Sequence, residues 1–312
     1  MASLRNVLTA VVLVALLISS PTAAPKYSDW SAPENLGAVV NSSFNDQGPA
    51  ISKDGLSLYF SSGRPRPDGS SGGSDIWVTQ RLSLEAPWGP PVNLGGVVNT
   101  ADDDSIPALS RDEHWLFFNS NRNSNTSFGG TDIWASYRQH THDDFGWQTP
   151  TNLGAGVNSP FNDQGAGYFD NDEGGAPLLF FGSDRPGGPG SNDIYVSELL
   201  PNGSFGPASL VADLSSASGD FRPSVRFDGL EVFFFSNRPG SLGFDLWTAT
   251  RETVFDFWSS IENLGPVVNS SGGDIHPYIA PDRRTLYFAS ANRLDGFGMQ
   301  DLYVTTRTRQ HP

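Results

Sequence analysis

The chain has 312 residues, of which 37% are hydrophobic, 12% aromatic and only 17% charged, with 34 Gly and 23 Pro. That balance excludes a coiled coil, a helical bundle and a disordered chain, and it favours many short strands joined by tight turns. A formal charge of −15 repels phosphate backbones and argues against a nucleic-acid partner, and the lack of any cysteine excludes disulfides, thiolate metal sites and cysteine nucleophiles.

Arg5 precedes an apolar run over 7–18, which ends in Ser19, Ser20, Pro21, Thr22, Ala23 and Ala24. A basic start, an apolar stretch too short to span a bilayer and a small-residue end are the marks of a secretory signal peptide. Residues 1–24 are therefore expected to be a signal peptide. Residues 25–312 are expected to form one exported domain, periplasmic or extracellular, monomeric and without a membrane span after cleavage.

The rest of the chain repeats itself. An Asp stands three residues before a Pro, or its equivalent, at Asp46/Pro49, Asp104/Pro107, Asp163/Ala166, Asp220/Pro223 and Asp274/Pro277. A short apolar strand and an acidic turn follow. A second strand, rich in Leu, Phe and Tyr, then spans 56–62, 115–120, 178–183, 232–236 and 285–290. Each runs into an arginine: Arg64, Arg122, Arg185, Arg238 and Arg293. After a loop, a third strand opens on Asp75-Ile76-Trp77, Asp132-Ile133-Trp134, Asp193-Ile194-Tyr195, Asp245-Leu246-Trp247 and Asp301-Leu302-Tyr303.

A fourth strand follows Trp88, Trp147 and Trp258. It carries Asn-Leu-Gly and then Val-Asn, ending at Asn99, Asn158 and Asn269. Unit three is degenerate, with Phe205 in place of the Trp and no Asn-Leu-Gly. Unit five stops after its third strand near Arg307, whereas Trp30, Asn35-Leu36-Gly37 and Val40-Asn41 form a fourth strand without its first three. The pattern predicts an all-β, five-bladed β-propeller of four-stranded antiparallel blades, the N-terminal strand closing the last blade.

The run from Pro49 through Asp54-Gly55 to Asp75-Ile76-Trp77, and that from Pro223 through Asp228-Gly229 to Asp245-Leu246-Trp247, resemble the TolB-like (WD40-like, PD40-type) β-propeller repeats of bacterial envelope proteins. The resemblance covers 30–307 and implies a propeller. TolB itself is similar only over its propeller, having an extra N-terminal domain and six blades, so its role in the envelope is not carried over.

The Ser-x-Arg arginines and the Asp-Ile-aromatic aspartates bracket the same loop and are expected to pair as scaffold. If the innermost strands line a central channel, Asp46, Asp104, Asp163, Asp220 and Asp274 face a common mouth. An oxygen-only collar of that kind suits a hard cation such as Ca²⁺. Arg222 and His276 break the repeat where the other units carry Gly48, Ile106 and Gly165, and a ring shows a specific ligand site where its symmetry fails. Two functions follow. The first is a non-catalytic binding or scaffold propeller that meets a protein or glycan partner on its loop faces. The alternative is a carbohydrate-active propeller, either a glycoside hydrolase using channel-mouth Asp residues or a lectin-like sugar binder, with Phe128, Phe145 and Phe297 free to stack on sugars.

Overall fold

A computed structural model describes residues 27–310 apart from 68, 70 and 71. The expected signal peptide, 1–24, lies outside the described residues. Blade 1 is built from Asp46–Ile51, Ser57–Ser62, Asp75–Gln80 and Val92–Asn93, in that spatial order and antiparallel throughout. Blades 2, 3 and 4 repeat this arrangement, starting at Asp104, Asp163 and Asp220. Blade 5 takes Asp274–Ile279, Thr285–Ala291 and Gln300–Thr306 from the C-terminal end and Glu34–Asn35 from the N-terminal end, with Glu34 opposite Val304 and Asn35 opposite Tyr303. The ring closes as the sequence predicts.

Each first strand packs against the first strands of both neighbouring blades, so the five surround one axis. The second strands are covered on both faces because blades stack face to face. Leu58, Tyr59 and Phe60 are all fully buried, which is why these strands read as unbroken apolar runs. Every first strand carries a bulge, where the register slips between Gln47 and Ala50 and at the equivalent places in the other blades. The residue at the bulge has a positive φ in all five blades: Gly48, Ile106, Gly165, Arg222 and His276. In four blades the next residue is a proline, which has no N–H to offer and sits where the ladder is interrupted; blade 3 has Ala166 there.

The pairing within each blade differs from the sequence expectation. Arg64 does not reach Asp75. It donates to Asp46 Oδ1 at 2.7 Å, to Val40 O at 2.6 Å and to Ser62 Oγ at 2.8 Å, lying over the rings of Phe60 and Trp77. Arg122, Arg185, Arg238 and Arg293 do the same in their blades. The arginine thus ties its own first strand to the connector from the preceding blade. The Asp of Asp-Ile-aromatic finds other donors: Asp132 accepts from Phe128 N, Gly129 N and the Asn152 amide, whereas Asp75 takes the Asn93 amide and a two-pronged ion pair from Arg66 in the same loop, at 2.6 and 2.7 Å. The Val-Asn asparagine imitates a strand: Asn99 accepts the N–H of Ile76 and donates to its carbonyl, both at 2.9 Å. In degenerate blade 3, Ser215 Oγ accepts the Ile194 N–H in its place.

Candidate functional site

Asp46, Asp104, Asp163, Asp220 and Asp274 are all fully buried, and the expected acidic collar does not form. One oxygen of each carboxylate takes its blade's arginine, at 2.5 to 2.8 Å. The other accepts the backbone N–H and hydroxyl of Ser42, Thr100, Ser159, Ser216 or Ser270. The side chains turn back toward the connector from the previous blade, and the axis is left to the bulge residue two positions later. Saturated in this way, the five carboxylates do not share a space and offer no open ligand set to Ca²⁺. Among the described residues no group of three or more His, Asp or Glu is arranged to hold a metal.

The bulge residues do meet at the axis. Arg222 is 2% exposed and donates from Nη2 to Pro49 O (2.8 Å) and Pro107 O (3.1 Å), and from Nη1 to His276 O (3.4 Å). Its partners lie in blades 1, 2 and 5, so one side chain from blade 4 links three others. Gly48 and Gly165 make room for it. A Cβ on Gly48 would lie 3.2 Å from Arg222 Nη1, and one on Gly165 would lie 2.9 Å from Arg222 Cβ. Burial pulls the Arg222 pKa down to about 9, which leaves the group cationic at neutral pH. His276 stands edge-on to Phe235 at 5.0 Å between ring centroids, and its Nδ1 is sealed from solvent with no hydrogen-bond partner. Burial, and then the Arg222 charge, push its pKa well below the usual histidine range, so the imidazole is neutral. The structure therefore brings Arg222 and His276 together and leaves the five Asp apart from them.

Above His276 and Ile106 a cavity of about 430 Å³ opens at the end of the axis where the first strands begin. Amides and hydroxyls line it: Asn45 and Gln47 from blade 1, Ser105, Asn119 and Asn121 from blade 2, and Gln164 from blade 3. Asn119 Oδ1 accepts the N–H of Gly165 at 2.8 Å, which commits its carbonyl and leaves its NH₂ for a ligand. The one lining carboxylate, Asp103, accepts from Ser74 N–H (2.7 Å) and Asn121 Nδ2 (3.2 Å). Periodicity alone does not single out Gln47 and Gln164, which stand directly after the first-strand aspartates Asp46 and Asp163.

A larger cleft, about 610 Å³, lies between blades 1 and 2, lined in part by Ser52, Asp54, Trp88, Glu113, His142 and Asp144. Asp144 comes from the blade 2 loop joining its third and fourth strands. It accepts from Arg138 (2.8 Å), Tyr59 Oη (2.5 Å), Ser57 Oγ (2.5 Å) and Gln80 Nε2 (2.7 Å). Glu113 occupies the turn position that Gly55 and Gly229 hold in blades 1 and 4, and like them it has a positive φ, 63°. Its carboxyl accepts the Lys53 N–H, and burial raises its pKa.

No protein-family model matches the chain, and no curated protein sequence matches it. Solved structures do match in shape. The chain is similar to an α-L-arabinofuranosidase from Lactobacillus brevis (TM-score 0.58, 13% identity, 88% of this chain and 93% of that one). It is also similar to a GH43 endo-arabinanase from Bacillus licheniformis (TM-score 0.54, 14% identity, 85% and 94%). A putative TolB from Agrobacterium tumefaciens superposes at TM-score 0.50 with 15% identity, over 92% and 99%. At such identities these likenesses establish the propeller fold.

Proposed function

We propose that this chain is a carbohydrate-binding propeller that holds sugar hydroxyls in its channel mouth. The observation that carries this is the lining: amides and hydroxyls from three blades and an imidazole from a fourth converge on a cavity of about 430 Å³. Gln47 and Gln164, among the described residues, leave their side-chain amides without a protein partner. Amides both donate and accept, which suits the paired donor and acceptor character of a sugar hydroxyl. The arabinose-directed enzymes on the same fold support the sugar reading over a scaffold role. Hydrolysis at the mouth lacks support, because it needs two working carboxylates and Asp103 stands alone and already bonded. The test is a glycan panel screened against the purified chain, with a reducing-sugar assay in parallel. Binding weakened at least tenfold in Asn119→Ala or Gln164→Ala, without sugar release, is expected. A panel with no binder overturns the proposal.

One observation favours a second reading. The inter-blade cleft does hold carboxylates in unlike settings: Glu113 has a raised pKa, and Asp144 is ion-paired with Arg138. Two carboxyl groups in unlike environments are what glycoside hydrolysis uses, and Trp88 gives the same cleft an aromatic wall. Sugar release that Glu113→Gln abolishes would move the activity to that cleft.

A further inference from the structure

We propose that the ligand of the channel mouth is an acidic sugar, whose carboxylate sits over His276 with the Arg222 guanidinium beneath it as counter-charge. This rests on the sugar-binding reading of the mouth and names the class of sugar.

The first ground is an uncompensated charge. Buried guanidinium groups are ordinarily paired with carboxylates, and the other deeply enclosed arginines follow that rule: Arg138 meets Asp144, and Arg226 and Arg307 meet Glu231. Arg222 makes hydrogen bonds to three carbonyls and, among the described residues, to no carboxylate. Carbonyl dipoles solvate a cation without cancelling its charge. A net positive field is therefore left at the axis of a chain whose formal charge is −15.

The second ground is strain. Blades 1 and 3 carry Gly at the bulge, where a positive φ costs nothing, whereas Ile106 (φ 55°), Arg222 (φ 41°) and His276 (φ 56°) hold side chains there, the last two of them polar. Non-glycine residues in that region are strained and persist where the surroundings over-determine them, commonly at ligand sites. The third ground is the imidazole. With Nδ1 sealed and unpartnered, the cheaper tautomer leaves Nδ1 as the bare acceptor and puts the proton on Nε2. The one N–H of the ring is then available to an acceptor in the cavity. Around His276 the charged groups are Arg222 below and Asp103 at the rim, and Asp103 is tied to Ser74 and Asn121. The attraction for an anion thus comes from a fixed cation and not from a titrating histidine.

Calorimetry on the purified chain tests this with an oligouronate and with the same oligosaccharide after reduction of its carboxyls to alcohols. The oligouronate is expected to bind at least tenfold more tightly, with that ratio unchanged from pH 5.5 to 8.5. Arg222→Gln should bring the two ligands to within about twofold of each other. If that variant does not fold, the wild-type ratio and its pH profile decide the matter alone. Equal binding of the two ligands overturns the acidic-sugar proposal while leaving the mouth a sugar site. A preference that fades above pH 7 places the charge on His276 and overturns the role of Arg222. Failure of both oligosaccharides, together with failure of the wider panel, overturns the mouth reading itself.

Discussion

Replacing Asp163 by Asn separates a structural aspartate from a functional one. The carboxylate receives four donors: Arg185 Nη2 at 2.5 Å, Ser183 Oγ at 2.5 Å, Ser159 N at 2.5 Å and Ser159 Oγ at 2.8 Å. An amide of the same shape keeps one acceptor and turns an NH₂ toward the remaining donors, so at least one N–H or O–H loses its partner whichever way it flips. Breaking a buried ion pair from one side costs about 3–5 kcal/mol. Arg185 keeps a hydrogen bond to Val157 O and its side chain is 16% exposed, which places the loss near the lower end, about 3 kcal/mol. In a domain of this size that is a fall in Tm of roughly 6 °C. Urea unfolding at pH 7 measures the loss, and glycan affinity measured well below the transition should be unchanged. A loss under about 1 kcal/mol, or a tenfold fall in affinity at unchanged stability, would refute the reasoning and return Asp163 to the site.

Other outcomes follow from the same geometry. Asn99→Ala removes both bonds to the backbone of Ile76 in a buried setting and should cost about 2–4 kcal/mol by chemical denaturation. Removal of residues 27–44 opens blade 5 by deleting the partners of Val304, Tyr303 and Leu302; the truncated chain should lose its cooperative transition, and adding the missing segment as a peptide should restore it. His276 has a depressed folded pKa, so its contribution to stability is present above the unfolded value, near 6.5, and is lost as pH falls below it, by about 1.4 kcal/mol per pH unit. His276→Asn should flatten the stability profile between pH 6.5 and 5. Glu113→Gly puts the residue of blades 1 and 4 back at a positive φ and should not lower stability, with a gain of up to about 1 kcal/mol by thermal melts; a clear loss would mean that the bond from Lys53 outweighs the strain.

The repeat was legible because it is written five times. The period, the four strands, the closure through Trp30 and Asn35 and the degeneracy of blade 3 all follow from spacing, and each is present in the structure. What spacing did not convey is direction. Asp46 stands 18 residues before Arg64 and Asp75 stands 11 after it, and nothing in that order says which one the guanidinium meets. The bulge decides it, by turning the Asp46 side chain toward the preceding connector and the next bulge residue toward the axis. Pro49, Pro107, Pro223 and Pro277 are the trace of that bulge in the sequence, because a residue without an N–H marks an interruption of the ladder.

The candidate site obeys the opposite logic. A side chain present in every blade, as the Asp–Arg pair is, meets the same neighbours five times and is used up by them. A chemistry that happens once must come from positions where the blades disagree. At the bulge they disagree most sharply: two glycines, one isoleucine, one arginine and one histidine share a backbone conformation that only glycine adopts without cost. At the Asp-Gly turn of blades 1 and 4, blade 2 carries Glu113 and blade 5 Arg283, both again in a glycine conformation, and Glu113 faces a cavity. In both places the fold bears strain to hold a side chain where the repeat does not need one. Symmetry-breaking alone selects Arg222 and His276 from the sequence; coordinates add Glu113, whose positive φ is shared by Ile106 and Arg283 but whose side chain brings a carboxyl to a cavity.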